Sequence, residues 1–524
     1  DAITRLGLDS ERADAKAGPI LSPSVVVLLL PSRFCFPKRQ MGQSLRRSCT
    51  ACARFKHSCD RGTPSCSRCI KRKVLCVYVN QPLTASRTDS KQEDGKAVAS
   101  SHEDSALTTY TFGSLDPFDS YPETRLPRAR VQRLIYSFLH KIAFQYYPLD
   151  LNATSNPFLI SWWPLALGDP ALFHVSLQTA CLDEELLAQK GFHTSEILMA
   201  DSVALLRRKV VNPFLAVQDG TMNSVITLAT IEPGASQFGK GNMDTSTMHV
   251  AGVKRMIDMR GGINAVRQTS PLTARMISWV SMLIMGHPQF ETQDDAGIGD
   301  GIPPIPEWQL VSTTLQADIL DLMSLGIDQE VMNVFTRLRN VFQRAQQILF
   351  PSTRLHDLTC FVIHRLLPSS PVGSNPQSSP INECIRYAII LYMFIIQGPT
   401  YYSHAVILKT IVCRFLDNLE QVASLFCVPD SLYVWLLSIG MVASDDPAHH
   451  QWYFERAQAA ASSLQISTCD DALLHVKSVL WLDLLQTEDI FRAPWDAVIQ
   501  ASNRTALKEL VEPILPTSSD AGSL

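Results

Sequence analysis

The chain has 524 residues, of which 46% are hydrophobic and 18% charged, with a formal net charge of −4. At about 150 residues per domain that length holds several domains, and the balance excludes a disordered polyelectrolyte for most of it. The near-neutral total hides an asymmetry. Residues 41–80 carry nine lysines and arginines against one acid, Asp60, a surplus of eight; residues 1–40 have a surplus of two, and 81–524 is left at −14. A short basic module is joined to a long acidic body, and the basic part is the one that attracts an anionic partner such as nucleic acid.

In chain order, residues 1–40 show no convincing secretory signal: the apolar run 25–30 is six residues long and not N-terminal. Met41 stands just ahead of the basic module, so Met41 is expected to be the natural start and 1–40 an extension or poorly ordered tail. Six of the thirteen cysteines follow within residues 49–76. Cys49, Cys52 and Cys59 recur seventeen residues later as Cys66, Cys69 and Cys76, with the same x2 and x6 spacings. Arg54 and Lys56 lie in the first half, Arg68, Lys71, Arg72 and Lys73 in the second, and Arg46 and Arg47 precede both. Two short helices joined by a loop through Pro64 are expected, too small to hold a core without metal.

Residues 81–125 turn rich in Ser, Thr, Asp and Lys, which reads as a flexible linker. No heptad seam marks a coiled coil there. Its acidic and aromatic end, around Leu115, Phe118 and Tyr121, reads as a docking segment or as the first strap onto the next domain. From 126 to 515 the pattern is helical. Val131, Leu134, Ile135, Phe138, Leu139 and Ile142 mark one face; Val250, Val253 and Ile257 mark another, with Thr245, Ser246 and Thr247 as caps and Gly261 and Gly262 as a stop; Leu473, Val476, Leu480 and Leu484 mark a third. Loops are expected at 297–306 and 368–380, and residues 516–524 as a disordered tail. The fold class is therefore mainly α: a small six-cysteine module, a linker and a large all-α domain. The longest apolar stretch, 387–396, is half the roughly 20 residues a membrane span needs, so no membrane is expected as partner.

Zinc takes four tetrahedral ligands, and thiolate is a favoured one. Six thiolates satisfy two zinc ions when two of them bridge, leaving a core of about −2 that nearby Lys and Arg offset. Two C-x2-C-x6-C units in exact repeat, interleaved with basic residues, are a strong signal for two zinc ions. A disulfide framework is the weaker alternative without a secretory signal, and a purely structural zinc staple leaves the charge surplus unexplained. The other seven cysteines are scattered and read as buried reduced thiols.

The cysteine stretch, with Pro64 two residues before the fourth cysteine, resembles the Zn2Cys6 binuclear cluster of fungal transcription factors. That resemblance implies that Cys49 and Cys66 bridge the metals, that the first helix enters the major groove of double-stranded DNA, and that CGG-type triplets are read. The family's base-reading positions fall on Phe55 and Lys56. Lys56 keeps a donor for guanine O6 and N7; Ala53, Phe55 and Ser58 depart from the family's usual basic residues, and Arg54 and His57 stand close enough in sequence to compensate. Arg46, Arg47, Arg68, Lys71, Arg72 and Lys73 read as phosphate contacts, and the same cluster as a nuclear import signal. The body resembles the fungal-specific regulatory domain at Leu228 to Glu232, His249 to Gly252, Arg260 to Gly262, Trp435, Trp452 to Phe454, and Leu480 with Trp481.

The function expected is a nuclear, sequence-specific transcription factor for RNA polymerase II genes of one metabolic or secondary-metabolite pathway. It would meet transcription machinery or co-regulators and act as a monomer or as a homodimer through the helical domain. The alternative is a zinc-containing regulatory scaffold without base readout. An enzyme ranks below both: the glycines at 297, 299 and 301 lack a phosphate loop's flanking elements, His449 and His450 lack a ligand set, and His249 reads as a hydrogen-bonded packing residue.

Overall fold

The computed structural model describes residues 52, 67–72, 121–189, 191–231, 240–310, 325–346, 350–367, 379–425, 428–484 and 487–511. The chain divides into two compact units, residues 1–109 and 110–524. In the first, helix α1 (Ser67–Arg72) buries Cys69.

The second unit is helical. The only bridge among its described residues is an isolated parallel one between Thr292 and Ile302. α2 (Arg128–Ser137) runs through a π-helical turn, Phe138–Ile142, into a last turn ending at Tyr146. α3 (Pro170–Ala188) packs on α4 (His193–Val210), and α5 (Asp219–Ile231) packs on both. α6 (Lys240–Met259), α7 (Ile263–Thr269) and α8 (Pro271–Met285) complete the first half. α9 (Gln329–Ala345), α10 (Ser352–Leu366), α11 (Pro380–Gln397) and α12 (Ala405–Leu425) follow, and α8 packs on α10 and α12. The end is α13 (Asp430–Ala443), α14 (Pro447–Ser463), α15 (Cys469–Val479) and α16 (Thr487–Val511), with α14, α15 and α16 all on α13.

Local chemistry sets these boundaries. Asp169 accepts from the amides of Ala171 (3.0 Å) and Leu172 (3.3 Å) ahead of Pro170, and Asp446 does the same for Ala448 (2.8 Å) and His449 (3.3 Å) ahead of Pro447. Each pairs a carboxylate cap with proline at the first helical position, where the missing N–H costs nothing. Thr468 and Asp471 form a reciprocal capping box on α15. α6 ends where Gly261 and Gly262 both take φ 94°, and the Gly262 amide donates back to Ile257 O at 3.0 Å.

The main apolar core of this unit runs from Val131 to Val498, and a smaller cluster gathers Ala171, Val175, Leu206 and Leu228. α11 is its central helix: Ile385, Ala388, Ile389, Leu391 and Tyr392 are all buried, so the apolar stretch at 387–396 is consumed by the core. No described helix is long and apolar enough to cross a membrane. Trp435 and Trp495 are fully buried; the Trp495 indole donates to Ser438 Oγ at 2.9 Å, and Tyr392 lies 6.3 Å from Trp435 and 6.2 Å from Phe491.

The predicted faces mostly hold. Val131, Leu134, Phe138 and Ile142 are buried, as are Val250, Val253 and Ile257. Two readings need correction. Thr245, Ser246 and Thr247 are not caps, because α6 begins at Lys240; Ser246 instead donates from inside the helix to Ala229 O at 2.8 Å. The third face ends as helix at Val479: Leu480 is buried in extended backbone, and Tyr392 Oη receives the Leu482 amide at 2.8 Å. The predicted loop at 297–306 holds through Ile305, and a four-residue helical turn from Pro306 buries Trp308. Of the predicted loop at 368–380, residues 368–378 lie outside the described residues and Pro380 already opens α11; the tail at 516–524, residues 1–40 and most of the linker also lie outside them. Tyr121 at the linker's end stacks on Phe173 at 5.7 Å and Arg125 pairs with Asp201 at 2.7 Å, so residues 121–125 pack on the helical unit, while Leu115 and Phe118 lie outside the described residues.

Candidate metal and nucleic-acid interface

Of the six predicted zinc ligands, Cys52 and Cys69 are described and both are buried, at 3% and 2% exposure. Beside Cys69, Ile70 is 61% exposed. A short helix that hides a cysteine and exposes an isoleucine is not folded around apolar packing. A buried cysteine in so short a helix fits thiolates gathered on metal. Cys49, Cys59, Cys66 and Cys76 lie outside the described residues.

Of the predicted DNA contacts, Lys71 and Arg72 are exposed on the last turn of α1 and Arg68 is half-buried. Cations there also complement the helix C-terminus. They are therefore available to an anionic surface without being desolvated in advance. Arg46, Arg47, Arg54, Lys56, His57 and Lys73 lie outside the described residues.

The helical unit holds polar groups that sequence reasoning missed. Asp357 on α10 is clamped by two arginines: Arg267 donates at 3.0 and 2.8 Å, Arg275 at 2.8 and 2.9 Å. Burial raises the Asp357 pKa, but the bonds and charges of Arg275 and Arg267 outweigh it and hold the carboxyl below its ordinary range. Burial pushes His356, His364 and His404 down to about 4. These partners lie 82 and 90 residues apart in sequence, beyond any local pattern. A second cluster joins Arg260, Asp219, Thr269 and Ser270 beside an open cleft of about 520 Å³ lined by Asp169, Gly220 and Arg260.

The helical unit's suspected chemical groups are structural. His249 is half-buried, and burial alone lowers its pKa; its Nδ1 has no hydrogen-bond partner, which corrects the expectation of a bonded histidine. His449 and His450 sit in the first turn of α14. At Gly301 a Cβ would lie 2.3 Å from Glu291 O, so that glycine serves close backbone approach. Cys181, Cys360, Cys384 and Cys469 are buried free thiols; Cys413 is a free thiol at intermediate exposure.

Comparison with known proteins places both units. A family described as the fungal Zn(2)-Cys(6) binuclear cluster domain matches residues 47–86, and one described as a fungal specific transcription factor domain matches 133–476. The chain is 37% identical over 79 residues to the geodin cluster transcription factor of Aspergillus terreus, covering 14% of this chain and 33% of that protein. It is 35% identical over 74 residues to transcription factor pgmR of the same species, covering 14% and 40%. It is 31% identical over 74 residues to the aflatoxin biosynthesis regulatory protein of Aspergillus flavus, covering 13% and 17%. The matches thus span less than half of each relative. No solved structure matches the chain. A cluster domain of this kind takes two zinc ions, and neither family is one of enzymes. With the match to the helical unit covering most of its length, the chain belongs to the fungal specific transcription factor domain family and carries a Zn(2)-Cys(6) binuclear cluster domain ahead of it.

Proposed function

We propose that this protein is a nuclear, zinc-dependent, sequence-specific DNA-binding regulator of the genes of one biosynthetic pathway. The observation that carries the reading is the inverted burial of α1, where Cys69 is hidden while Ile70, Lys71 and Arg72 face outward. Buried sulfur under an exposed basic surface is the arrangement of a metal-held module that grips phosphates. Cys49, Cys52, Cys59, Cys66, Cys69 and Cys76 hold the two zinc ions, with Cys49 and Cys66 bridging.

Lys56, helped by Arg54 and His57, reads base edges of CGG-type triplets in the major groove. Arg46, Arg47, Arg68, Lys71, Arg72 and Lys73 neutralise phosphates. The module spans 41–80, the linker 81–125 and the regulatory domain 126–515. That domain meets co-regulators or a second copy of the chain, and the cluster's charge directs nuclear import. Relatives named for geodin and aflatoxin biosynthesis support a cluster-specific role.

The test is retardation of labelled duplexes by the full chain. A CGG-containing duplex should be held at least tenfold more tightly than a scrambled one, and a zinc chelator should abolish the preference. Equal retention of both duplexes would favour the second reading, a regulatory scaffold without base readout, which the uncharged Ala53, Phe55 and Ser58 support.

A further inference from the structure

Between α7 and α8 the chain exposes Gln268, Thr269 and Pro271 around a half-buried Ser270, whose backbone leaves the helical region at φ −144° and ψ 71°. Ser270 Oγ donates to Asp219 Oδ2 at 2.6 Å and receives Arg260 Nη2 at 3.0 Å. Arg260 Nη2 also reaches Thr269 Oγ1 at 2.6 Å, while Nη1 serves Asp219 and Val217 O. One serine hydroxyl therefore stands between a guanidinium and a carboxylate that already pair with each other. The cleft of about 520 Å³ borders both charged groups.

We propose that Ser270 is a phosphorylation site and that its phosphate takes Arg260 from Asp219. Serine followed by proline, at a break between two helices, is the dipeptide that proline-directed kinases accept. In the transfer, Ser270 Oγ bonds to the γ-phosphorus of ATP, the bond from that phosphorus to the bridging oxygen breaks to leave ADP, and the hydroxyl proton passes to the kinase's carboxylate base. The product carries about −1.5 to −2 charges where a neutral donor stood. Asp219 loses its bond from Ser270 and gains a like-charged neighbour. Arg260 is drawn to the phosphate, favoured by bidentate geometry and by the start of α8, whose first turn holds no acid. The other described Ser-Pro pair, Ser379 and Pro380, opens a helix with Glu383 in its first turn, where a phosphate is repelled. Releasing Asp219 frees the start of α5 and widens the cleft, so the mark changes the surface that this end of the helical unit offers.

The test treats the purified full chain with a proline-directed kinase and ATP, then digests it with trypsin. One phosphate is expected on the peptide 268–275, at Ser270, and none on that peptide from Ser270→Ala. The melting temperature of the helical unit should fall by about 2–4 °C. Ser270→Asp should reproduce part of that fall, and Asp219→Asn should remove it, because no carboxylate is left to displace. An unmodified 268–275 peptide overturns the site. An equal fall in the Asp219→Asn chain overturns the exchange of partners.

Discussion

Asp357 carries the clearest energetic consequence at the scale of single residues. It is nearly buried between Arg267 and Arg275. Removing one member of such a group strands the others' charge, which costs more than the group contributes net. We expect Asp357→Ala to destabilise the helical unit by about 3–5 kcal/mol in denaturant unfolding, and a loss under 1 kcal/mol would show that water reaches the arginines. His356 and His364, both buried, and half-buried His404 give a pH dependence of known sign. With folded pKa values near 4 for His356, His364 and His404, the unfolded chain takes up protons below about pH 6.5 that the folded one refuses. Stability is therefore lost as pH falls from about 6.5 towards 4, and Asp357 adds a further loss only below its ordinary range. Melting temperature should drop between pH 7 and pH 5, less steeply in His364→Leu; a flat profile would contradict burial of these rings. None of this was legible in the sequence, because each group is defined by neighbours from other helices. Cys69 was legible because its meaning lies in its spacing.

Helices were legible where burial follows the 3.6 period, as at Val131, Leu134, Val250, Val253 and Ile257. They were not legible where tertiary contacts override local signals. Ser246 resembles a cap but is a buried bond from α6 to Ala229, and Leu480 keeps its burial after α15 has ended. At Gly440 on α13 a Cβ would lie 2.0 Å from the Tyr453 ring of α14. Alanine gains about 1 kcal/mol in helix propensity there but overpacks a fixed ring. We expect Gly440→Ala to lose about 1–3 kcal/mol by chemical denaturation, whereas a gain would mean that α13 and α14 separate freely.

For the whole molecule, charge partition was the most informative reading. The basic residues gathered at 41–80 and the acidic body separate a part whose charge attracts phosphate from a part whose charge repels it. Arg72 is exposed at the end of α1. Arg72→Ala should weaken binding to all duplexes alike and lower the salt slope by about 1, while Lys56→Ala should narrow the gap between CGG and scrambled duplexes. Equal effects in a salt titration would contradict that division of roles. Neither composition nor periodicity discloses the pathway served or the helical unit's partner, since both depend on surfaces that no local pattern encodes.

The most direct measurement is the zinc content of the full chain by native mass spectrometry, with and without Cys69→Ser. We expect two zinc ions in the natural chain and fewer in the variant, which should also lose its CGG preference. Two zinc ions retained by Cys69→Ser, or none bound by the natural chain, would contradict the six-cysteine cluster and the DNA-reading role built on it.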